Sequence, residues 1–127
     1  MRRFNKFRLA VKRLFSATIN SWRGLRYGIS TEAAVREEAI ALVLALPVGY
    51  VIAPSLPWYV AMLAALLVVL AVELLNTAIE KLSDHVTREH HPDIGKIKDF
   101  GSAAVFCTLC LAGLIWLAAL AVRFGLV

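Results

Sequence analysis

The residues with the clearest chemical potential form a stripe of polar side chains near the end of a long apolar segment. The stripe comprises Glu73, Asn76, Thr77, Glu80 and Asp84. Their spacing predicts that they share one face of a helix, because successive residues of an α-helix lie about 100° apart. A carboxylate such as Glu73, at the edge of an apolar span, costs on the order of 3 kcal/mol unless it faces a polar cavity or a partner. Its presence there indicates a functional site.

Carboxylates can supply two kinds of chemistry at such a site. Hard oxygen ligands such as Glu32 and Glu80 suit Mg²⁺, and Glu73 could accept a proton from a hydroxyl group. Lys98 and the basic N-terminus would attract a phosphate-rich ligand. The sequence has no GxxxxGK[ST] loop and no protein-kinase signature. The residues therefore predict an interfacial acidic site that binds a cation, and they leave the reaction open.

The same side chains also have structural interpretations. Carboxylates on helix surfaces often form solvated faces or pair with Lys and Arg one turn away, which suits Glu37, Asp84 and Glu89 as well as a function does. Asn76 could join helices through hydrogen bonds. Glu73 is the residue for which a purely structural interpretation is weakest.

The composition places this site in a membrane. The chain has 127 residues, of which 60% are hydrophobic, a net charge of +5 and a mean hydropathy of +0.71. A soluble domain of this length could not bury so much apolar surface. The charges are also segregated, since Glu73 is the only charged residue from 40 to 75 and there is none from 100 to 122.

A single domain, 1–127, with one surface helix and three transmembrane spans accounts for this pattern. Basic and aromatic residues alternate over 2–27 with helical spacing, which is typical of an amphipathic helix at an anionic membrane surface. A nucleic-acid-binding arm is disfavoured because the rest of the chain is apolar. The three spans are expected at 32–53, at 58–86 with a cytoplasmic extension, and at 100–122.

The connections between these elements follow from residue type. Gly28 is expected to end the surface helix, and Ser30 or Thr31 to cap the first span. Residues 90–95, which contain two His, a Pro and a Gly, are expected to form a loop. The CxxC pair at 107 and 110 lies inside an apolar run, so membrane-buried thiols that pack as small hydrophobic groups are favoured over a redox or zinc site.

The distribution of basic residues predicts the topology. Nine of the fourteen Lys and Arg precede the apolar body of the first span, four lie between the apolar part of the second span and the third span, and one follows the third. The positive-inside rule then puts the N-terminus in the cytoplasm. The first apolar run begins near Ala39, which is too late for a cleaved signal peptide.

The stripe also resembles a known family. Residues 73–84 (ELLNTAIEKLSD) closely resemble the signature of the bacterial membrane diacylglycerol kinase family, which includes undecaprenol kinases. Residues 98–104 (KDFGSAA), 32–38 (EAAVREE) and 21–25 (SWRGL) resemble its other blocks in the same order. The resemblance covers nearly the whole chain. It implies an all-α integral membrane fold that assembles as a homotrimeric helix bundle, with active sites between subunits at the cytoplasmic interface.

The resemblance further implies a role for individual residues. Glu73 would be the general base, Asn76 would orient the reacting groups, and Glu32 and Glu80 would hold Mg²⁺. The residues implied for ATP binding are Arg13, Glu32, Glu80, Glu89, His91, Lys98 and Asp99. Those implied on the lipid side are Trp22, Glu38, Glu73 and Ser102.

The function that the resemblance implies is ATP-dependent phosphorylation of diacylglycerol to phosphatidate, at the cytoplasmic face of the bacterial inner membrane, by direct in-line transfer. Undecaprenol kinase is the alternative within the family, although Gly101–Ala104 looks more like the diacylglycerol branch. A non-catalytic scaffold or small transporter subunit is a remoter alternative. It is disfavoured because the acidic residues crowd one interface instead of following a path across the membrane.

Overall fold

Four consecutive helices make up the protein. The computed structural model describes residues 2–127, with side chains at residue 6 and from residue 8 onward. The helices are α1 (Arg2–Thr31), α2 (Ala33–Ile52), α3 (Leu56–Val86) and α4 (Pro92–Arg123). No strand occurs in the described chain, so the prediction of an all-α protein is confirmed.

Helix α3 is the central element of the fold. It packs most extensively against α4 and next against α2, while α1 contacts the remainder mainly through α2. Ala65 and Val69 of α3 and Ala112 of α4 form a buried cluster, with Leu66 and Ile115 packed against it. The small side chains in this cluster let the two helix backbones approach closely, which is the usual basis of helix association in membranes.

Two helices have the length and composition to cross a bilayer. They are α3 and α4, with 31 and 32 residues, whereas a span needs roughly 20. Only 11% of the most apolar stretch of α4 is buried in the chain, which is too little for the core helix of a soluble protein. Helix α2 has 20 residues but begins with the charged Arg36, Glu37 and Glu38. The third span therefore stays a prediction.

The end of α1 differs from the sequence prediction, because Gly28 does not break the helix. Gly28 is buried, and a Cβ atom there would lie 3.1 Å from both Leu74 and Val35 side chains. Its lack of a side chain thus permits a close approach of α1 to α2 and α3. The helix continues to Thr31 instead of ending near Tyr27.

The predicted cap of α2 is also wrong. The hydroxyl groups of Ser30 and Thr31 donate to the Tyr27 carbonyl, at 2.8 and 2.9 Å, and so belong to the last turn of α1. The N-cap position is occupied by Glu32, whose extended backbone (φ −111°, ψ 124°) separates the two helices. Its side chain makes no capping hydrogen bond, which leaves the carboxylate available for other contacts.

Helix α4 begins earlier than predicted. Pro92, Asp93 and Gly95, expected in a loop, lie in its first turns. His91 is the N-cap residue, and its Nδ1 accepts a hydrogen bond from the Asp93 backbone N–H at 3.2 Å. Proline suits the first helical position because its missing N–H would have no helical partner there. Because α4 starts at Pro92, the residues after 95 are helical and their positions around the helix axis are fixed.

The core position Val69 provides a test of the α3–α4 packing. Val69 is 0% exposed, whereas its neighbour Val68 is 43% exposed. We expect Val69→Ala to lower the free energy of unfolding by about 1–3 kcal/mol, because it removes buried methyl groups and leaves a cavity. The matched variant Val68→Ala should change it by less than about 0.5 kcal/mol. Unfolding in detergent followed by circular dichroism measures both, and equal losses would show that the interface is wrongly described.

Candidate active site

Buried polar side chains concentrate on the stripe of α3. Glu73 and Asn76 are each 8% exposed, and Ser83 further along the helix is 6% exposed. These three are the buried polar residues among the described side chains. Glu73 and Asn76 lie one turn apart, where the apolar run of α3 ends at Leu75. Their burial agrees with the single polar face that the spacing predicts.

The amide of Asn76 is hydrogen-bonded at one end only. Its Nδ2 donates to Glu80 Oε1 at 3.2 Å. Its Oδ1 is buried and has no hydrogen-bond partner in the described chain. A buried acceptor without a partner loses about 1–3 kcal/mol, so such an atom calls for a ligand, a water molecule or an ion. Oδ1 is therefore a candidate contact for a bound group.

Gly101 of α4 makes room for this amide. A Cβ atom at Gly101 would overlap Asn76 Oδ1, so α4 approaches α3 as closely as the amide allows. Gly101 is itself buried. Gly101, the first residue of the GSAA sequence at 101–104, thus packs directly on the polar stripe. The sequence alone did not reveal this contact.

Carboxyl groups from two helices surround Glu73. Glu80 of α3 and Glu38 of α2 lie near enough to act on it electrostatically. The negative charge of these groups would stabilise a cation bound among them. The stripe is therefore an acidic site at the edge of an apolar helix, as expected.

The donor atoms suit Mg²⁺ held jointly with a ligand. In the part of the chain that the structure describes, no group of three or more His, Cys, Asp and Glu side chains could hold a metal by itself. Mg²⁺, however, usually binds one or two carboxylates and completes its shell with water and phosphate oxygens. Glu80 and Glu32 carry hard oxygen donors of this kind. The residues present fit a nucleotide-bound Mg²⁺ ion.

Glu32 is paired with a lysine that the sequence analysis did not single out. Glu32 Oε1 lies 2.7 Å from Lys81 Nζ. The nearby Lys81 ammonium, and after it Thr31, lowers the pKa of the Glu32 carboxyl below its ordinary value. Glu32 is therefore a carboxylate at neutral pH. Lys81 Nζ also lies 5.7 Å from the centroid of the Tyr27 ring.

A second ion pair connects α4 to the last turns of α3. Lys98 Nζ lies 2.5 Å from Asp84 Oδ1. The pair joins the start of α4 to α3, so it is a contact between helices and not the pairing one turn away on the same helix that was the structural alternative for Asp84. It also places Lys98, the implied phosphate contact, on the same side of the molecule as the stripe.

Several predicted site residues form no hydrogen bond or ion pair with the stripe in the described chain. The exposed members of this group are Arg13, Trp22, Glu89, His91, Asp99 and Ser102. Among the described residues, none of these six is joined to Glu73, Asn76 or Glu80 by a hydrogen bond or an ion pair. Arg13 lines a shallow depression on α1 together with Lys12 and Asn20. The implied roles of these residues stay predictions.

The sequence contains partial signals for the residues that were missed. Gly101 begins a run of small residues, and such runs often mark close helix contacts in membranes. Lys81 directly follows Glu80 and is the one basic residue between 73 and 84. Tyr27 carries no local signal, because its contact with Lys81 depends on how α1 packs against α3.

Comparison with known proteins decides the family. The family model described as prokaryotic diacylglycerol kinase matches residues 19–120. The chain belongs to the prokaryotic diacylglycerol kinase family. The resemblance noted in the sequence is thus confirmed, and with it the prediction that this membrane protein is a lipid kinase.

Individual members of the prokaryotic diacylglycerol kinase family match most of the chain. The diacylglycerol kinase of Escherichia coli (strain K12) is 35% identical over 113 residues, 89% of this chain and 93% of its own length. That of Haemophilus influenzae is 34% identical over 103 residues, 81% and 87% of the two chains. That of Pseudomonas aeruginosa is 37% identical over 111 residues, 87% and 90%.

The contact between Gly101 and Asn76 can be tested through activity. In Gly101→Ala the added methyl group displaces the Asn76 amide, and we expect kinase turnover to fall about 10- to 100-fold, because small misplacements of reacting groups have large effects on rate. Gly95→Ala is the control, since the same methyl group meets nothing within 4 Å there. Activity in mixed micelles and helicity by circular dichroism are measured together. Full activity in Gly101→Ala would mean that the amide position is unimportant.

Proposed function

We propose that this protein transfers the γ-phosphoryl group of ATP to the hydroxyl of diacylglycerol and forms phosphatidate and ADP. The observation that carries the proposal is the buried pair of Glu73 and Asn76 at the end of an apolar run, in a chain of the diacylglycerol kinase family. A base at that depth meets a lipid hydroxyl at the membrane surface, where a water-soluble nucleotide can also reach it.

The reaction needs few protein groups. Glu73 accepts the proton of the lipid hydroxyl while the hydroxyl oxygen attacks the γ-phosphorus. The bond from that phosphorus to the bridging oxygen of ADP breaks at the same time. Phosphoryl transfer depends mainly on positioning and on charge neutralisation, so no covalent enzyme intermediate is required. Asn76, whose Nδ2 donates to Glu80 at 3.2 Å, lies one helical turn from the base and orients the reacting groups.

Glu32 and Glu80 would hold Mg²⁺ in this site. When bound, Mg²⁺ neutralises charge that develops on the transferred phosphoryl group. The proposal is supported by the hard oxygen donors and by the repulsion among neighbouring carboxylates, which a cation relieves. Lys98 adds positive charge on the nucleotide side.

The remaining predicted contacts require more than one chain. The nucleotide contacts Arg13, Glu89, His91 and Asp99 and the lipid contacts Trp22, Glu38 and Ser102 do not all meet the stripe within one chain. We propose a homotrimer in which a neighbouring subunit completes each site. Neighbouring chains would also shelter the charged start of α2 and allow it to serve as the third span.

The membrane location follows from the same arrangement. We propose that the protein lies in the bacterial inner membrane with its N-terminus and the α3–α4 connection in the cytoplasm. Thirteen of the fourteen Lys and Arg then lie on the cytoplasmic side, as the positive-inside rule requires. The site at the end of the apolar part of α3 faces cytoplasmic ATP.

The acceptor lipid is tested directly. Purified protein in mixed micelles receives labelled ATP with diacylglycerol or undecaprenol, each with and without Mg²⁺. We expect Mg²⁺-dependent labelling of diacylglycerol and poor labelling of undecaprenol. Labelling of undecaprenol alone would keep the chemistry and change the substrate. Labelling of neither by folded protein would favour a scaffold or transporter subunit instead.

Glu73 is tested as the base by a charge-neutral variant. Glu73→Gln should lower turnover at least about 100-fold, because general-base catalysis contributes roughly 10²- to 10⁴-fold. Glu37→Gln is the matched control, since Glu37 is an exposed carboxylate of α2 outside the proposed site. Helicity and oligomeric state in detergent should be unchanged in both variants. A Glu73→Gln variant that keeps its turnover but changes its assembly would assign Glu73 to packing.

A further inference from the structure

Lys81 joins three elements of the fold. Its Nζ lies 2.7 Å from Oε1 of Glu32, the residue between α1 and α2. The same Nζ lies 5.7 Å from the centroid of the Tyr27 ring near the end of α1. Lys81 itself belongs to the cytoplasmic extension of α3, directly after Glu80. One ammonium group therefore connects the α1–α2 junction to the helix that carries the stripe.

Glu32 needs such an external contact because its own surroundings do not fix its side chain. It occupies an N-cap position with extended backbone, and its carboxylate makes no capping hydrogen bond to α2. Its side chain is 29% exposed. Of the three ion pairs in the described chain, only the Lys81–Glu32 pair reaches this junction.

The contact with Lys81 orients the Glu32 carboxylate and leaves one of its oxygens available to a cation. The ion pair runs through Oε1 of Glu32, and a carboxylate has a second oxygen with further lone pairs for a cation. The Tyr27 ring holds the ammonium from another side through a cation–π contact. A ligating carboxylate is commonly held in this way by a neighbouring hydrogen-bond donor.

We propose that Lys81 is a positioning residue that orients the Glu32 carboxylate toward the divalent cation of the bound nucleotide, with Tyr27 holding the Lys81 ammonium in place. This inference rests on the proposed function, because that function supplies the nucleotide-bound cation. Because Glu80 and Lys81 are consecutive, α3 then carries one proposed cation ligand and the group that orients the other.

A Lys81 ammonium that competes with the cation, instead of orienting Glu32, would give the opposite result. If the ammonium merely occupied a cation site, its removal would strengthen metal binding. If it orients Glu32, its removal weakens metal binding, by about 10- to 100-fold for typical contacts to a ligating group. The direction of the change therefore separates the two.

The test measures cation binding without turnover. Purified protein in micelles is titrated with Mn²⁺, as a paramagnetic substitute for Mg²⁺, in the presence of a non-hydrolysable ATP analogue. Free Mn²⁺ is followed by electron paramagnetic resonance. We expect Lys81→Met to weaken Mn²⁺ binding about 10- to 100-fold and Lys81→Arg to retain most of it. Lys96→Met is the matched control, because Lys96 is exposed and pairs only with Asp93 on its own helix.

Kinetics provide a second readout. In Lys81→Met the Mg²⁺ concentration for half-maximal phosphorylation should rise by the same factor, while kcat at saturating Mg²⁺ stays near that of the wild type. Tyr27→Leu, which keeps an apolar side chain but removes the ring, should show a smaller shift in the same direction. It also serves as the test variant if Lys81→Met does not fold.

The outcomes separate this inference from the proposed function. Unchanged or tighter Mn²⁺ binding in Lys81→Met, beside an active wild type, overturns the role of Lys81. Unchanged Mn²⁺ binding in Tyr27→Leu would show that the Tyr27 ring does not hold the Lys81 ammonium in place, and it would contradict the proposal as stated. A wild type that binds Mn²⁺ and the analogue but phosphorylates no lipid overturns the proposed function and leaves the Lys81 result to stand on binding alone.

Discussion

The close approach of α3 and α4 is the constraint on which the site depends. Small residues along this contact bring the two backbones together, and at one end of it Gly101 leaves only enough space for the Asn76 amide. The amide is thereby held beside Glu73 and Glu80 with one polar atom unsatisfied. The contact between α3 and α4 therefore buries apolar side chains along its length and positions polar side chains at one end.

Periodicity and local composition were sufficient to predict the parts of the fold that depend on one helix at a time. The polar stripe of α3, the burial of Glu73 and Asn76 within it and the all-helical class all follow from patterns that are visible in the sequence. Glu32 and Lys98 were also predicted from residue type, whereas the other site residues beyond the stripe came from the family resemblance. The roles of those other residues stay predictions.

The failures lie where tertiary contacts override local signals. Gly28 was expected to break a helix, yet its missing side chain admits Leu74 and Val35, so packing preserves the helix. Pro92 and Gly95 were interpreted as loop residues, although proline is well suited to a first helical turn. The Lys81–Glu32 pair joins residues distant in sequence, and no local pattern could have indicated it.

The continuity of α3 has a consequence for the lipid environment. From Trp58 to Val86 it contains neither Pro nor Gly, so it is an uninterrupted rod whose first part is apolar and whose last part, from Glu73 onward, carries the polar stripe. A rod accommodates a thinner or thicker bilayer by tilting or by shifting along the membrane normal, not by bending. Either adjustment moves Glu73 relative to the headgroups. The depth of the proposed base, and with it access to a lipid hydroxyl, is thereby tied to the thickness of the surrounding membrane.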